Sequence, residues 1–249
     1  MEKTVAAPLP APPEHTEERP MQTHEIKVLA KIQTDFREKF GIPRQSGLVE
    51  SLRARIVFEP EFRNPDALRG IEGFSHLWLI WQFSLAVRSE WSPTVRPPRL
   101  GGNTRLGVFA TRSPFRPNPL GLSCVRLDEV CEDSTLGPVL VVSGADLLDG
   151  TPIYDIKPYL LYADCHPEAV GGFAADAPEK HLHVVISEAL IDRIPPEKRP
   201  ALLDVLSLDP RPSYHNDPSR IYGMRFADME VRFTVTDGVL TVTELSTDL

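Results

Sequence analysis

Proline is the feature that most restricts what this chain can fold into. It accounts for 25 of the 249 residues, about twice its usual share of ~5%. Because proline lacks a backbone N–H and fixes φ, it interrupts helix interiors and central strands. The chain is therefore expected to contain many short elements joined by rigid turns, rather than long helices.

The order of apolar residues predicts a mainly β fold. Residues 26–33 and 53–58 alternate apolar and polar side chains, which is typical of half-buried strands. Residues 74–85 form a longer apolar and aromatic run that predicts a buried strand. Further short strands are predicted at residues 106–110, 122–130 and 139–148. Their Pro and Gly boundaries have the spacing of a barrel or a sandwich.

The C-terminal part of the chain has a different character. A strand is predicted at residues 182–186, and Ser187 is expected to cap a short helix that begins at Glu188. Residues 197–208 predict a second helix with proline near its start. Asp237-Gly238 lies between two alternating runs and predicts a tight β-hairpin.

These patterns divide the chain into three parts. Residues 1–23 are Pro-rich with little to bury, so a disordered extension is predicted there. Residues 24–165 are expected to form the mainly β domain. Residues 166–249 are expected to form a smaller α+β domain.

Charge is distributed unevenly along the chain. The formal net charge is −8 at pH 7, which on its own argues against a polyanionic partner. Residues 91–127, the arginine segment, nevertheless contain six arginines and no Asp or Glu. Arginine recognises carboxylates and phosphates through planar, bidentate hydrogen bonds. Because Gly, Pro and Asn lie between the arginines, the segment favours a shaped anion-binding surface over a solvated basic loop.

Missing patterns exclude several classes of protein. No apolar run approaches the ~20 residues of a transmembrane helix, and no basic-then-apolar secretory signal opens the chain. Three cysteines, Cys124, Cys131 and Cys165, lack metal-ligand spacing and are expected as reduced thiols in a cytoplasm. His181 and His183 are the nearest approach to a metal pair. Two ligands make a weak site, so no metal is predicted and a metal-dependent hydrolase lacks its ligand cluster.

Four polar, Gly- and Pro-rich segments interrupt the apolar pattern of the β domain, at residues 41–47, 100–107, 110–121 and 147–152. Each alone is consistent with a tight turn. Four of them in one domain predict a site built from loops on a rigid β scaffold. There is no G-x-G-x-x-G, Walker, H-E-x-x-H or G-x-S-x-G pattern, so this site is not one of those common types.

The same segments carry a family resemblance. The stretches PRQSGLV, RGIEGFSHLW, VRPPRLGGNTRLGVFATRSPFRPNPLGLS and LLDGTPIYDIKPYL together resemble the TrmO family. Its members are S-adenosylmethionine-dependent tRNA methyltransferases that act on N6-threonylcarbamoyladenosine next to the anticodon. The resemblance runs from about residue 25 to the C-terminus. It implies a single-sheeted antiparallel β-barrel as the methyl-donor domain, and a homodimer.

The resemblance also implies which residues hold the cofactor. Those expected to line the S-adenosylmethionine pocket are Pro43, Arg44, Gln45, Ser75, His76, Leu77, Arg112, Leu122, Asp149, Gly150, Thr151 and Pro152. Arg112 suits the cofactor carboxylate and Leu122 suits an adenine face. No general base is identified; Asp149 and His76 are candidates.

A second set of residues is predicted to bind tRNA. They are Arg96, Arg99 and Arg116 of the arginine segment, together with Arg211 and Tyr214 in the smaller domain. The arginines suit phosphates, and Tyr214 offers a stacking face of the kind that RNA loops use. A rigid structural corner is the other interpretation of residues 209–214. The alternative function is a non-catalytic RNA-binding or S-adenosylmethionine-sensing module with the same pocket.

Overall fold

The computed structural model describes residues 22–85, 90–175, 181–212 and 217–247. Their regular structure consists of twelve strands, three short α-helices and six single-turn 3-10 helices. The strands are β1 (Ala30–Gln33), β2 (Arg53–Phe58), β3 (His76–Gln82), β4 (Thr94–Val95), β5 (Leu106–Gly107), β6 (Leu120–Asp133), β7 (Gly137–Ser143), β8 (Pro152–Pro158), β9 (His183–Val185), β10 (Tyr222–Phe226), β11 (Met229–Thr236) and β12 (Val239–Thr247). The α-helices are α1 (Leu161–Asp164), α2 (Glu188–Ile191) and α3 (Arg199–Ser207). The predicted N-terminal extension lies almost wholly outside the described residues. No helix within the described ranges has the length and apolar character needed to cross a bilayer.

Six antiparallel strands form a closed barrel. Their order is β1-β2-β7-β6-β3-β8, and β8 returns to β1 at the pair Ala30↔Ile153. Alternate residues of each strand fill the interior. In β3, Leu77, Leu79 and Trp81 are buried, whereas Trp78 on the outer face packs on Tyr159 with ring centroids 5.8 Å apart. The apolar run at residues 74–85 therefore supplies the side chains of both faces of one strand. The prediction of a mainly β, antiparallel fold is confirmed.

The arginine segment contains little regular structure before β6 begins at Leu120. Between residues 91 and 119 its only ladder is the two-residue pair β4–β5, with Thr94 opposite Gly107. The strand predicted at residues 106–110 is wrong beyond Gly107, because Val108–Ala110 turns into a 3-10 helix. Proline has no backbone N–H to donate to a ladder, so the prolines of this segment prevent a longer one. The segment therefore lies across the barrel end as a sequence of tight turns.

A second sheet of four strands follows, in the order β10-β11-β12-β9, with β9 parallel to β12. The predicted hairpin is confirmed: Asp237 and Gly238 have φ of 50° and 78°, the left-handed conformation of a type I′ turn. Helix α3 packs on the sheet through Leu202, Val205 and Leu206. Ser187 precedes α2 but makes no side-chain capping hydrogen bond.

The loop between β1 and β2 connects the two sheets. Phe36 is buried in the second core and meets Phe226 edge to face, with ring centroids 5.6 Å apart. Lys198 Nζ lies 2.6 Å from Asp35 Oδ2 at the edge of this contact. The residues that follow in this loop then return to the barrel end, so one loop is held by both sheets.

Candidate functional site

A cavity of about 390 Å³ opens at the end of the barrel where β1, β3 and β7 finish and β6 and β8 begin. This barrel-end cavity is lined by parts of four elements of the chain: the β1–β2 loop, the end of β3, the arginine segment leading into β6, and the β7–β8 turn. Its volume lies within the ~300–1,000 Å³ usual for small-molecule sites. Loops on a rigid barrel therefore line the cavity. Three of the four predicted segments contribute to it, at residues 41–47, 110–121 and 147–152, whereas none of residues 100–107 lines it.

Arg112 joins two of these loops. Its Nη1 donates a hydrogen bond to Gln45 Oε1 across 67 residues of sequence. The β1–β2 loop is held there by Pro43, which is buried, and by Gly41, which has φ of +94°. A Cβ at Gly41 would lie 2.2 Å from Met224 Sδ, so the loop packs closely on the second sheet. Arg44, also in the cavity wall, stays exposed.

Apolar side chains line the cavity as well as these cations. Leu122 is 52% exposed although it lies in a strand, and Leu85 and Leu120 are also exposed beside it. Trp81 forms the floor, packed against Gly121 of the neighbouring strand. An open apolar wall beside cations suits a ligand that carries both a flat ring and an anionic group.

A buried polar chain ends in the cavity. Trp81 Nε1 donates to Ser123 Oγ at 2.9 Å, and Ser123 Oγ donates to Asp146 Oδ1 at 2.6 Å. Ser123 is fully buried, and Asp146 lines the cavity. Burial raises the pKa of Asp146, against the hydrogen bond from Ser123 and the charge of Arg112, which both lower it.

The structure brings half of the predicted cofactor residues into this cavity. Those that line it are Pro43, Arg44, Gln45, Arg112, Leu122 and Thr151. Asp149 and Gly150 instead line a separate hollow of about 300 Å³ beside Lys31. Asp149 Oδ1 accepts a hydrogen bond from Thr34 N at 2.9 Å, which holds the β7–β8 turn against the end of β1. Pro152 lies next to the cavity as the first residue of β8.

Ser75, His76 and Leu77 lie at the opposite end of β3. His76 pairs with Arg126, whereas Gln82 at the cavity pairs with Leu120, so the strand separates them by about 20 Å at ~3.3 Å per residue. Leu77 is buried in the barrel core, and Ser75 Oγ lies 2.9 Å from His76 Nδ1 on the surface. Within one chain these three residues do not meet the other predicted cofactor residues.

The predicted RNA-binding residues are divided in the same way. Arg96 and Arg99 are exposed, and Arg116 lines the cavity. Arg211, in contrast, donates from Nε and Nη2 to the two oxygens of Asp209, at 2.8 and 2.9 Å, and is mostly buried. Its guanidinium is thus committed to the fold, which favours the structural interpretation of that corner. Tyr214 lies outside the described residues.

Two features escaped the sequence reasoning. One is the Ser123–Asp146 pair. The sequence feature that indicates it is Ser123, a polar residue at an inward-facing position of a strand. The other is an exposed aromatic pair on the arginine segment: Trp91 and Phe109 stack with centroids 6.2 Å apart and are 49% and 72% exposed. The sequence feature that indicates this pair is the presence of two large aromatic residues in a polar segment that does not form a hydrophobic core. In the described part of the chain, no group of three or more His, Cys, Asp or Glu side chains is placed to hold a metal.

Comparison with known families covers most of the chain. Residues 31–165 match the family model described as the tRNA-methyltransferase O N-terminal domain. Residues 179–248 match the TrmO C-terminal domain.

Individual relatives match at high coverage. The chain is 40% identical over 226 residues to the tRNA (adenine(37)-N6)-methyltransferase of Escherichia coli K12, covering 87% of this chain and 95% of that protein. It is 42% identical over 219 residues to a Pseudomonas aeruginosa protein provisionally named as an S-adenosylmethionine-dependent methyltransferase, covering 85% and 92% of the two chains. A crystal structure of TrmO from Pseudomonas aeruginosa superposes with a TM-score of 0.73 at 33% identity, covering 90% of this chain and all of that one.

Proposed function

Because this chain belongs to the TrmO family, we propose that it transfers a methyl group from S-adenosylmethionine to N6 of the adenine at position 37 of tRNA, as its Escherichia coli relative is named for doing. The observation that carries the proposal is the barrel-end cavity, whose lining combines the hydrogen-bonded Arg112 and Gln45 with exposed apolar side chains. The barrel is then the methyl-donor domain, and residues 166–249 form the smaller α+β domain beside it.

The residues of the cavity fit the cofactor. S-adenosylmethionine presents a carboxylate, an ammonium, an adenine ring and a sulfonium that supplies an activated methyl group when bound. Arg112, steadied by Gln45, and Arg44 provide cations for the carboxylate. The exposed face of Leu122 suits the adenine ring. Methyl transfer from sulfonium mainly requires alignment of the two reactants, which is worth ~7–11 kcal/mol when the geometry is good.

The arginine segment is proposed to contact tRNA. Arg96 and Arg99 are exposed, Arg116 reaches the cavity wall, and no acidic residue lies between them. The backbone connects this segment directly to the cavity, because Ser92 N donates to Phe115 O at 3.3 Å, between the cavity residues Pro114 and Arg116. Such a local cationic surface allows an acidic protein to bind a polyanion, with affinity that falls as salt rises.

We further propose that the active form is a homodimer in which Ser75 and His76 of one copy reach the cavity of the other. Two observations support this arrangement. These residues lie far from the cavity of their own chain, and next to them α1 exposes Leu161 and Tyr162, which are 74% and 87% exposed. Tyr159 connects the two, with its ring 6.2 Å from that of His76. An apolar surface of this kind is typical of a protein interface.

Mixing two inactive variants tests the shared site. Arg112→Ala and His76→Ala homodimers should both be poor enzymes. In a mixed dimer one of the two cavities keeps both residues, so each mixed dimer should have about half of the wild-type activity. Because random exchange of equal amounts of the two variants makes about half of the dimers mixed, the mixture should recover about a quarter of the wild-type activity. Light scattering should report a dimer in each sample. A monomer in solution, or no recovery on mixing, would contradict the arrangement.

The acceptor is proposed to be N6-threonylcarbamoyladenosine, as the family resemblance implies. The deciding assay uses labelled S-adenosylmethionine with bulk tRNA from a strain that lacks this gene, and with tRNA that also lacks the threonylcarbamoyl group. Methyl transfer only to the first sample would support the acceptor. Transfer to neither sample, with cofactor binding intact, would identify a non-catalytic sensing or RNA-binding module instead.

A further inference from the structure

Asp146 is the one acidic residue among the described residues that line the barrel-end cavity. Among the described residues of the same chain that line it, the ionisable side chains are Lys39, Arg44, Arg112, Arg116 and Asp146, so Asp146 is the one proton acceptor at neutral pH that this chain itself supplies to the cavity. The two candidate bases predicted from the sequence, Asp149 and His76, do not line the barrel-end cavity of their own chain. Asp149 faces the separate hollow and accepts a hydrogen bond from Thr34 N. His76 lies at the far end of β3 in its own chain, and in the proposed dimer it would enter the cavity only from the second copy, where the His76→Ala variant tests it separately from Asp146.

We propose that Asp146 accepts the proton that leaves the acceptor nitrogen during methyl transfer, an inference that rests on the proposed function. In the reaction an N–C bond forms at N6 while the C–S bond breaks and leaves its electron pair on sulfur. The nitrogen thereby gains a bond and loses its proton, which passes to a carboxylate oxygen of Asp146. The proton then leaves to solvent through the open cavity.

The surroundings of Asp146 hold a base in place: the backbone N–H groups of Ser46 and of Asp146 itself bond to this carboxylate, in addition to Ser123. Oδ1 is fixed by Ser123, which is itself fixed by Trp81, so the carboxylate has a set orientation. Unlike Asp35, Asp128 and Asp209, it forms no ion pair with Lys or Arg among the described residues. Burial raises its pKa, and a more basic carboxylate removes a proton more effectively.

Titration of the free protein gives a readout that does not depend on activity. Carbon-13 NMR of the aspartate carboxyls, with the resonance assigned by its absence in Asp146→Asn, should place the Asp146 midpoint above the ordinary aspartate range. Ser123→Ala removes a hydrogen bond that favours the charged form, so the midpoint should move to higher pH. A midpoint at or below the ordinary range would overturn the proposal.

Single-turnover methyl transfer at saturating cofactor gives the second readout. The wild-type rate should fall as pH decreases through the Asp146 midpoint, and Ser123→Ala should move this fall to higher pH, as in the titration. Asp146→Asn, which keeps the acceptor for Ser123, should lower the rate by about 100-fold or more and abolish this pH dependence. Asp155→Asn, on β8 outside the cavity, is the matched control and should behave as wild type.

The outcomes separate this inference from the proposed function. A wild-type chain that transfers no methyl group overturns both. A wild-type chain that methylates tRNA, with an Asp146→Asn variant within about threefold of its rate, overturns the assignment of Asp146 alone. A variant that loses cofactor affinity but keeps the saturated rate and its pH dependence also overturns it, because Asp146 would then be a binding residue. Folding of each variant is checked by its melting temperature.

Discussion

At the scale of single residues, the site depends on a few side chains that hold loops in place. Arg112 illustrates this, because its guanidinium contacts Gln45 from a different loop and so fixes both walls of the cavity. The cation has a dual role, since it organises the pocket and also offers donors to an anionic ligand.

Replacing Arg112 with alanine should weaken cofactor binding while the protein stays folded. A hydrogen bond to a charged group is worth about 1.5–3 kcal/mol, which corresponds to roughly a 10- to 150-fold rise in Kd. Calorimetry on the purified variant measures this directly. Arg105→Ala, an exposed neighbour on the same segment, is the matched control for loss of charge. Unchanged affinity in a folded Arg112→Ala protein would show that the carboxylate is held elsewhere.

Gly121 is required by the floor of the cavity. It lies opposite Trp81 in the β3–β6 register, and a Cβ there would sit 2.3 Å from the indole ring. Gly121→Ala should therefore destabilise the fold by about 1–3 kcal/mol through overpacking, measured by urea unfolding. Gly73→Ala is the control, since its Cβ would meet nothing within 4 Å and its backbone is not left-handed. If the two variants had equal free energies of unfolding, the indole ring of Trp81 would have to shift freely to accommodate the new methyl group.

At this scale the sequence predicted most of the loops that line the cavity, but it did not predict which atoms face it. Arg112 and Gln45 lie in segments whose Gly and Pro content already indicated a site. The sequence pattern pointed to Asp149 and not to Asp146, yet the two carboxylates, three residues apart, face different hollows and it is Asp146 that lines the barrel-end cavity. Backbone direction within a turn depends on tertiary pairing, which a local pattern does not contain.

At the scale of elements, the short β4–β5 pair presents aromatic rings to solvent. Trp91 precedes β4 and Phe109 follows β5, so the two strands bring these rings together at one edge of the arginine segment. Arginines and an exposed aromatic stack are the combination that single-stranded RNA loops require, because bases stack on the rings while phosphates meet the cations.

Trp91→Ala and Phe109→Ala should each raise the KM for tRNA and leave the cofactor Kd unchanged. A stacked base is worth about 1–3 kcal/mol, which predicts roughly a 5- to 150-fold change in KM. Steady-state methylation assays at several tRNA concentrations give the value. Phe173→Ala, an exposed aromatic outside the arginine segment, should change nothing. Wild-type kinetics in both variants would exclude the aromatic pair from the RNA site.

Elements were predictable where periodicity was strong and proline was scarce. β2, β3, β6, β7 and the β11–β12 hairpin all follow alternating or continuous apolar runs. β8 was missed because it begins at Pro152 and contains Asp155 and Lys157, and its place in the barrel is set by pairing with β1 and β3. β10 was missed as well, although Tyr222, Met224 and Phe226 alternate inward.

At the scale of the whole molecule, the two sheets are coupled through the β1–β2 loop. Phe36 is buried in the second core, and seven residues later the same loop supplies Pro43 to the cavity. The stability of the C-terminal sheet should therefore affect ligand binding in the barrel.

A pair of core substitutions tests this coupling. Phe36→Ala and Phe233→Ala both remove a fully buried ring from the second core and should each cost about 3–5 kcal/mol of unfolding free energy. Only Phe36→Ala should also weaken cofactor binding, because it releases the loop that holds Pro43 and Gln45. Urea unfolding and calorimetry together provide the comparison. Equal cofactor affinities in the two variants would show that the barrel holds the loop without help.

The pairing of β1 with β8 also determines how late the barrel can close while the chain is being synthesised. Ala30 is made early in synthesis but cannot find its partner Ile153 until almost two thirds of the protein has left the ribosome. Phe36 waits longer still, since Phe226 and its sheet come near the end. Contacts this distant in sequence make folding slow and leave apolar strands exposed meanwhile. The nascent protein should thus depend on chaperones until its last hairpin is complete, and a stalled or truncated product should be prone to aggregation.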